Sequence, residues 1–433
     1  MKCWKLCAIL AVFTICSVGQ INGTRLEEVF RWKEVEYEWP DGVIAKDYKG
    51  ANNLPLGLDV WRNKLFITVP RWKDGVASSL NYIDLNSGVS SGKLRPYPNW
   101  AANTLPVDHE PSATTEGPPR DRLAAASLPK DVESHPASNE TIISTFRIRI
   151  DECDRLWVVD TGLADILGSP KQFSPPAILI FDLNTDTLLR RYEIPSESID
   201  DDSFFANVIV DADKAACGDS FAYIPDLGAY AVLVYSFKDN KSWRVKHNFF
   251  HFDPLQGDYN VAGVNFQWTD GVFGMAVGKP LPDGSRLVYF HALSSTKEFA
   301  VPNKVLQNET YSTGSDAYYE YKLLGDRGQN SQSTAEFYDP STEVIFYTQV
   351  NRDAIGCWNT NKPFNPDNQG LVDSDSEALV FPNDLKVDPS GTLWVLSDRM
   401  PAFIYKQLDP QQHNFRILRA NTKQIIQGTP CDP

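Results

Sequence analysis

An all-β fold, a single-domain six-bladed β-propeller, is predicted for this 433-residue chain. Three observations predict it. One strand–turn–strand unit recurs six times. The copies lie roughly 50 to 90 residues apart, room for a small sheet each. No Pro/Ser-rich linker divides them into independent groups. Radial repetition also solves the edge problem of small sheets, because each blade covers the next. A hydrophobic content of 42 % with 22 % charged residues puts the chain among globular proteins able to bury such a core.

The units follow one pattern: apolar–x–apolar–Asp, a polar turn, then an aromatic or aliphatic strand. The first is "GLDVWRNKLFITV" from Gly57, the second "IRIDECDRLWVVD" from Ile148 and the third "VIVDADKAACGDSFAYIPD" from Val208. The fourth is "GMAVGKPLPDGSRLVYFHA" from Gly274, the fifth "AEFYDPSTEVIFYTQ" from Ala335 and the sixth "NDLKVDPSGTLWVLSD" from Asn383. Asp59, Asp151, Asp211, Asp339 and Asp388 are expected to hold the same place in five copies, with Gly278 there in the fourth. In such turns Asp accepts backbone N–H bonds, so these are turn formers rather than catalysts.

The first residues are read as a targeting segment. Lys2 and Lys5 precede an apolar run from Leu6 to Val18, too short to span a membrane, and small residues follow. Residues 1–19 are therefore expected to be a signal peptide and 20–433 a secreted, soluble domain. Asn103 to Ser138, rich in Pro, Ser, Thr, Ala and Glu without periodicity, is expected to be an exposed loop inserted between the first two units. Asn22, Asn139, Asn240 and Asn308 begin N-x-S/T sequons, candidate glycosylation sites on an exported chain.

Loss of the leader leaves Cys153, Cys217, Cys357 and Cys431, an even number with three possible pairings. Cys153 and Cys217 lie in the turns of neighbouring units, so their bridge is the natural one. Cys357–Cys431 would then pin the C-terminal tail to the ring, where closure is entropically weakest. The net charge of −15 argues against nucleic acid and anionic membrane surfaces as partners.

Chemical signatures are sparse. There is no G-x-S-x-G elbow, no Gly-rich phosphate loop and no H-E-x-x-H, so no cofactor and no metal are expected. His247 and His251 are four apart, but "WRVKHNFFHF" alternates as a strand would, which makes them ordinary strand or loop residues. Propellers bind ligands where inner strands and their loops converge at the channel mouth. Phe146 and Phe273, aromatic residues at the start of the second and fourth units, are candidates for that place.

The stretches "LFITVPRWKDGVASSLNYI", "DECDRLWVVDTG", "DGVFGMAVG", "LWVLSDRMP" and "GTPCD" resemble the insect yellow/major royal jelly protein family. They run from about Glu27 to Asp432, and "PRWKDG" and "LWVLSDRMP" look like the yellow branch. The resemblance implies the same fold, the same two disulfides and a ligand pocket at one end of the channel. It also implies a place in melanin and cuticle pigmentation. Its members include dopachrome conversion enzymes, binders of biogenic amines and cuticle proteins. Carried over by motif, the pocket residues fall on Asn383, Asp398 and Met400, where amine-binding relatives resemble Thr, Asn and Phe. Loss of a ring at Met400 weakens stacking, and Asp398 offers a partner for an ammonium group or a general base, with Asn383 donating to a quinone oxygen. The expected partner is a small aromatic molecule such as dopachrome, dopamine or a related amine, bound by a monomer.

Overall fold

The computed structural model describes residues 25–41, 47–86, 92–106 and 139–433. The expected signal segment, Asn22 and residues 107–138 of the expected loop lie outside them. Asn103, where that loop was expected to begin, is fully buried, and its side-chain oxygen accepts from the backbone N–H groups of Ser79 and Leu80.

Six four-stranded antiparallel sheets form among the described residues, with two further two-stranded hairpins. The innermost strands are Leu58–Trp61, Thr145–Ile150, Ile209–Asp211, Val272–Pro280, Glu336–Asp339 and Pro382–Val387, for blades 1 to 6. Each touches the next, and the sixth touches the first, so the ring is closed. Burial explains the order of residue types. Pro382–Val387 is buried along its whole length, whereas the outer strand Lys241–Lys246 alternates exposed and buried positions. Inner strands have a neighbouring blade on both faces, and outer strands have water on one.

Glu27–Trp32 closes the ring by pairing with Phe415–Asn421 as the outermost strand of blade 6. The two ends of the chain thus share one sheet. The disulfides are Cys153–Cys217, joining the turns of blades 2 and 3, and Cys357–Cys431, holding the tail to the third strand of blade 5. Among the described residues no helix is long and apolar enough to cross a membrane. Asn139, Asn240 and Asn308 are exposed.

Two local expectations need correction. Asp59 is not a turn residue: Trp61 pairs with Lys64 around a two-residue turn, with Arg62 at φ 54°, so the strand runs on past it. Its carboxylate accepts instead from Ile150 N at 2.8 Å and Arg149 Nη1 at 3.2 Å of blade 2. Asp211 does not bond to its turn either: its carboxylate accepts from Tyr223 Oη at 3.1 Å, Asn303 Nδ2 at 2.7 Å and Gln307 Nε2 at 3.0 Å. His247 and His251 lie in the loop after the strand Lys241–Lys246, where the His247 ring caps the 3-10 turn Asn248–Phe250. Asp151, Asp339 and Asp388 do form their turns. Asp151 and Asp388 also each accept a Trp indole N–H from the following strand, from Trp157 at 2.7 Å and Trp394 at 2.8 Å.

Candidate functional site

The inner strands share a fault at one end. Blade 4 slips register between Val272 and Gly274, blade 6 between Pro382 and Asp384, and blade 2 between Thr145 and Ile148. Each slip is a β-bulge, which bends the strand and re-aims a side chain. Phe273 and Asn383 are the bulged residues of blades 4 and 6, and Phe146 lies within the slip of blade 2. Three candidates read from separate stretches of sequence therefore occupy equivalent places around the channel mouth.

Asn383 is the polar member of that ring. Its amide Nδ2 donates to Asp398 Oδ2 at 2.6 Å and lies 3.5 Å from Met400 Sδ. Asp398 directly follows the second strand of blade 6, Thr392–Ser397, and its other oxygen accepts from Met400 N at 3.0 Å. Both side chains are buried, and burial pushes the Asp398 carboxyl well above the ordinary carboxylate range despite these donors. Burial thus makes Asp398 a tighter holder of a proton, and a poorer anion for an ammonium group, than an exposed carboxylate.

Sequence reasoning missed the residue that ties the ring together. Arg147, next to Phe146, crosses the channel from blade 2. Its guanidinium donates to Thr334 O at 2.5 Å on blade 5, and to the Asn383 carbonyl and, at 3.0 Å, Asn383 Oδ1 on blade 6. It also lies 4.3 Å over the Phe273 ring, a cation–π contact. Only its place beside Phe146 could have suggested it, because its partners are 187 and 236 positions away.

The aromatic wall continues through Trp72 of "PRWKDG", whose ring meets Phe146 edge-on at 4.9 Å, and Phe204, which meets Phe146 at the same distance. The Trp72 indole N–H is buried without an acceptor among the described residues. The short helix Met400–Tyr405 roofs the mouth. Phe266 stacks on Tyr405 at 5.4 Å, the Trp268 indole donates to Tyr405 Oη at 2.6 Å, and Lys73 donates to Phe403 O at 3.0 Å.

Asp270 was also missed, although it opens the quoted "DGVFGMAVG". It lies in the loop that enters the inner strand of blade 4, at the same end as Asp398. It is 2 % exposed, and burial alone pushes its carboxyl up to about 7. The groups in contact at this corner are thus a buried carboxyl, an amide, a fixed cation and aromatic walls, with Asp270 at the same end of the ring beside Tyr259.

The major royal jelly protein family matches residues 143–431. The chain belongs to that family. L-dopachrome tautomerase yellow-f of Drosophila melanogaster is 37 % identical over 99 % of this chain and 98 % of its own length. Protein yellow of Drosophila subobscura is 39 % identical over 94 % of this chain and 67 % of its own, and that of Drosophila melanogaster 38 % over 94 % and 71 %. A solved protein of unknown function from Bacteroides thetaiotaomicron aligns over 92 % of this chain with a TM-score of 0.49 and 8 % identity, too distant to bear on the site. In this royal jelly-family chain Asn383, Asp398 and Met400 are in mutual contact, and Phe146 and Phe273 stand at the matching bulges of blades 2 and 4.

Proposed function

We propose that this chain is a secreted yellow-type protein of the melanin and cuticle pigmentation pathway that converts dopachrome to a dihydroxyindole by tautomerisation. The observation that carries the reading is the Asp398–Asn383 pair: a buried carboxyl hydrogen-bonded to a bulged amide, with burial raising its hold on a proton. The 37 % identity to an L-dopachrome tautomerase across nearly the whole of both chains supports it.

The rearrangement is an isomerisation. Two carbon-bound protons leave the aminochrome in turn, one from each of two ring carbons by way of a quinone methide, and each quinone oxygen gains one, so no oxidant or cofactor enters the balance. Asp398 is suited to deliver the proton to oxygen, with the Arg147 charge stabilising the developing enolate-like oxygen. Asp270, poised near neutral pH, is suited to take the carbon-bound proton. Phe146, Phe273 and Trp72 form walls for a planar bicycle. If the substrate carboxylate leaves as CO2 instead, the product identifies that route.

The alternative, a non-catalytic binder of catecholamines, needs an anion for the ammonium group, and burial makes the Asp398 carboxyl a poor source of one. Decay of L-dopachrome with purified protein against heat-treated protein, with the indole product identified, separates the readings. Faster decay, lost in Asp398→Ala or Asn383→Ala, supports the enzyme. Decay equal to the heated control rejects it and leaves amine binding or a structural cuticle role.

A further inference from the structure

Just inside the Phe273 bulge, blades 4 and 5 enclose a second polar cluster that takes no part in the chemistry above. His291 stands on the second strand of blade 4, Glu298 on its third, and Glu336 on the inner strand of blade 5. All three side chains are at most 3 % exposed. His291 Nδ1 lies 3.1 Å from Glu298 Oε2 and 3.3 Å from Glu336 Oε2. The ring can lie there only because residue 274 is glycine: a Cβ at that position would stand 2.2 Å from His291 Nε2.

Glu336 is the anomaly. Neither of its oxygens has a hydrogen-bond partner, and Glu298 Oε1 has none either. Arg327 donates to Glu298 Oε2 at 2.5 Å and to Ser331 O and Ser295 O, so it braces Glu298, while Glu336, among the described residues, faces only His291 Nδ1 at 3.3 Å, a nitrogen it shares with Glu298. A buried carboxylate with half a share in one nitrogen is costly to hold. Two carboxylates facing one guanidinium leave the cluster with an excess negative charge when the imidazole is neutral.

We propose that His291, Glu298 and Glu336 form a binding site for a divalent cation of the zinc type. Nitrogen and oxygen ligands sit at about 2.0–2.2 Å from zinc in a tetrahedron, which spaces them roughly 3.4 Å apart. The observed 3.1 and 3.3 Å fit that spacing. One imidazole and two carboxylates suit a borderline transition metal, whereas calcium takes about six to eight oxygens and would be under-coordinated. Arg327 donates to the Glu298 oxygen that faces His291 and so fixes that carboxylate's orientation, the role that a supporting partner plays for a metal-bound carboxylate. The three residues lie on three strands of two blades, with no short-range spacing to betray them.

The test uses untagged full-length protein, dialysed against chelator and then titrated with Zn2+ at pH 7.5 by calorimetry and elemental analysis. The wild type is expected to retain one equivalent more than Glu336→Gln, and Zn2+ is expected to raise the melting temperature of the wild type alone. Glu298→Gln serves as a second variant. If both variants fail to fold, X-ray absorption of zinc-loaded wild type decides: one imidazole with oxygen ligands supports the site, and two or more imidazoles place the zinc elsewhere and overturn it. No retained equivalent in the wild type, or equal retention in a folded Glu336→Gln, also overturns it.

Discussion

Blades 2 and 6 place the same residue type at the end of their second strands, Asp160 as the last residue and Asp398 directly after it, and use it differently. Asp160 accepts from three backbone N–H groups, those of Ile143 at 3.0 Å, Ser144 at 2.7 Å and Gly162 at 3.2 Å. It is a staple, holding the loop that enters the inner strand. Asp226 of blade 3 works alike, accepting from Phe204 N at 2.8 Å and Ser203 Oγ at 2.6 Å. Asp398 has one backbone donor, and its second oxygen rests on the bulged Asn383 side chain. The corner that holds its fold with side chains is the one whose carboxyl remains free for chemistry.

The largest effects separate the two corners. Asp160→Asn should lower stability by about 3 kcal/mol, because an amide group cannot accept from all three donors and turns its NH2 against one. The folded fraction should keep its turnover. Asp398→Asn should do the reverse, with kcat/KM for L-dopachrome falling by about 100-fold or more and urea unfolding little changed. If Asp398→Asn unfolds the protein while Asp160→Asn stops turnover, the assignment of roles is backwards.

What could be read before the structure was known follows the same division. The turns at Asp151, Asp339 and Asp388 were legible because their chemistry is local: each carboxylate bonds to backbone within four positions. Phe146 and Phe273 were read as aromatic residues at strand entrances and Asn383 from the family resemblance, and the bulges that make their places equivalent emerge only in the structure. Asp59 misled because blade 1 makes a tighter turn, which shifts the strand by two residues. Arg147, Asp270 and the His291 cluster were not legible, since their meaning depends on which blades face one another across the channel. Local patterns specify each blade, and the site is made between blades.

Arg147 is the physical link between the two compared corners, and removing it should weaken both. Arg147→Met leaves Thr334 O and Asn383 Oδ1 without their donor, and should cost about 2 to 3 kcal/mol in urea unfolding. Turnover should fall with it, since Asn383 loses its brace. A variant of unchanged stability would show that the arginine does not cross-link the ring.

Asp270 sharpens the comparison through pH. Its folded value of about 7 lies above the ordinary value near 4, so the native chain holds a proton that the unfolded chain releases. Stability from this group is present below about pH 4 and is lost as pH rises towards 7, by up to about 4 kcal/mol in all. Asp270→Asn should therefore gain stability over the wild type at pH 8 and show little gain at pH 4. In the wild type kcat/KM should rise with pH through about 7, as a base needs, and the variant should lack that limb. Parallel stability curves for the two proteins would remove Asp270 from the account.

The smallest effects come from the bulged rings. Phe146 meets Trp72 and Phe204 edge-on and belongs to the wall of the core, while Phe273 lies beneath the Arg147 guanidinium. Phe146→Leu should therefore act mainly on stability, by about 1 to 1.5 kcal/mol, because two aromatic contacts go at once. Phe273→Leu loses a cation–π contact of about 1 kcal/mol, and frees the charge that orients Asn383. Its signature should be a several-fold rise in KM for L-dopachrome with stability close to wild type. Equal KM values in the two variants would mean that the rim of the channel does not distinguish its two rings, and that the ligand is held by the blade 6 corner alone.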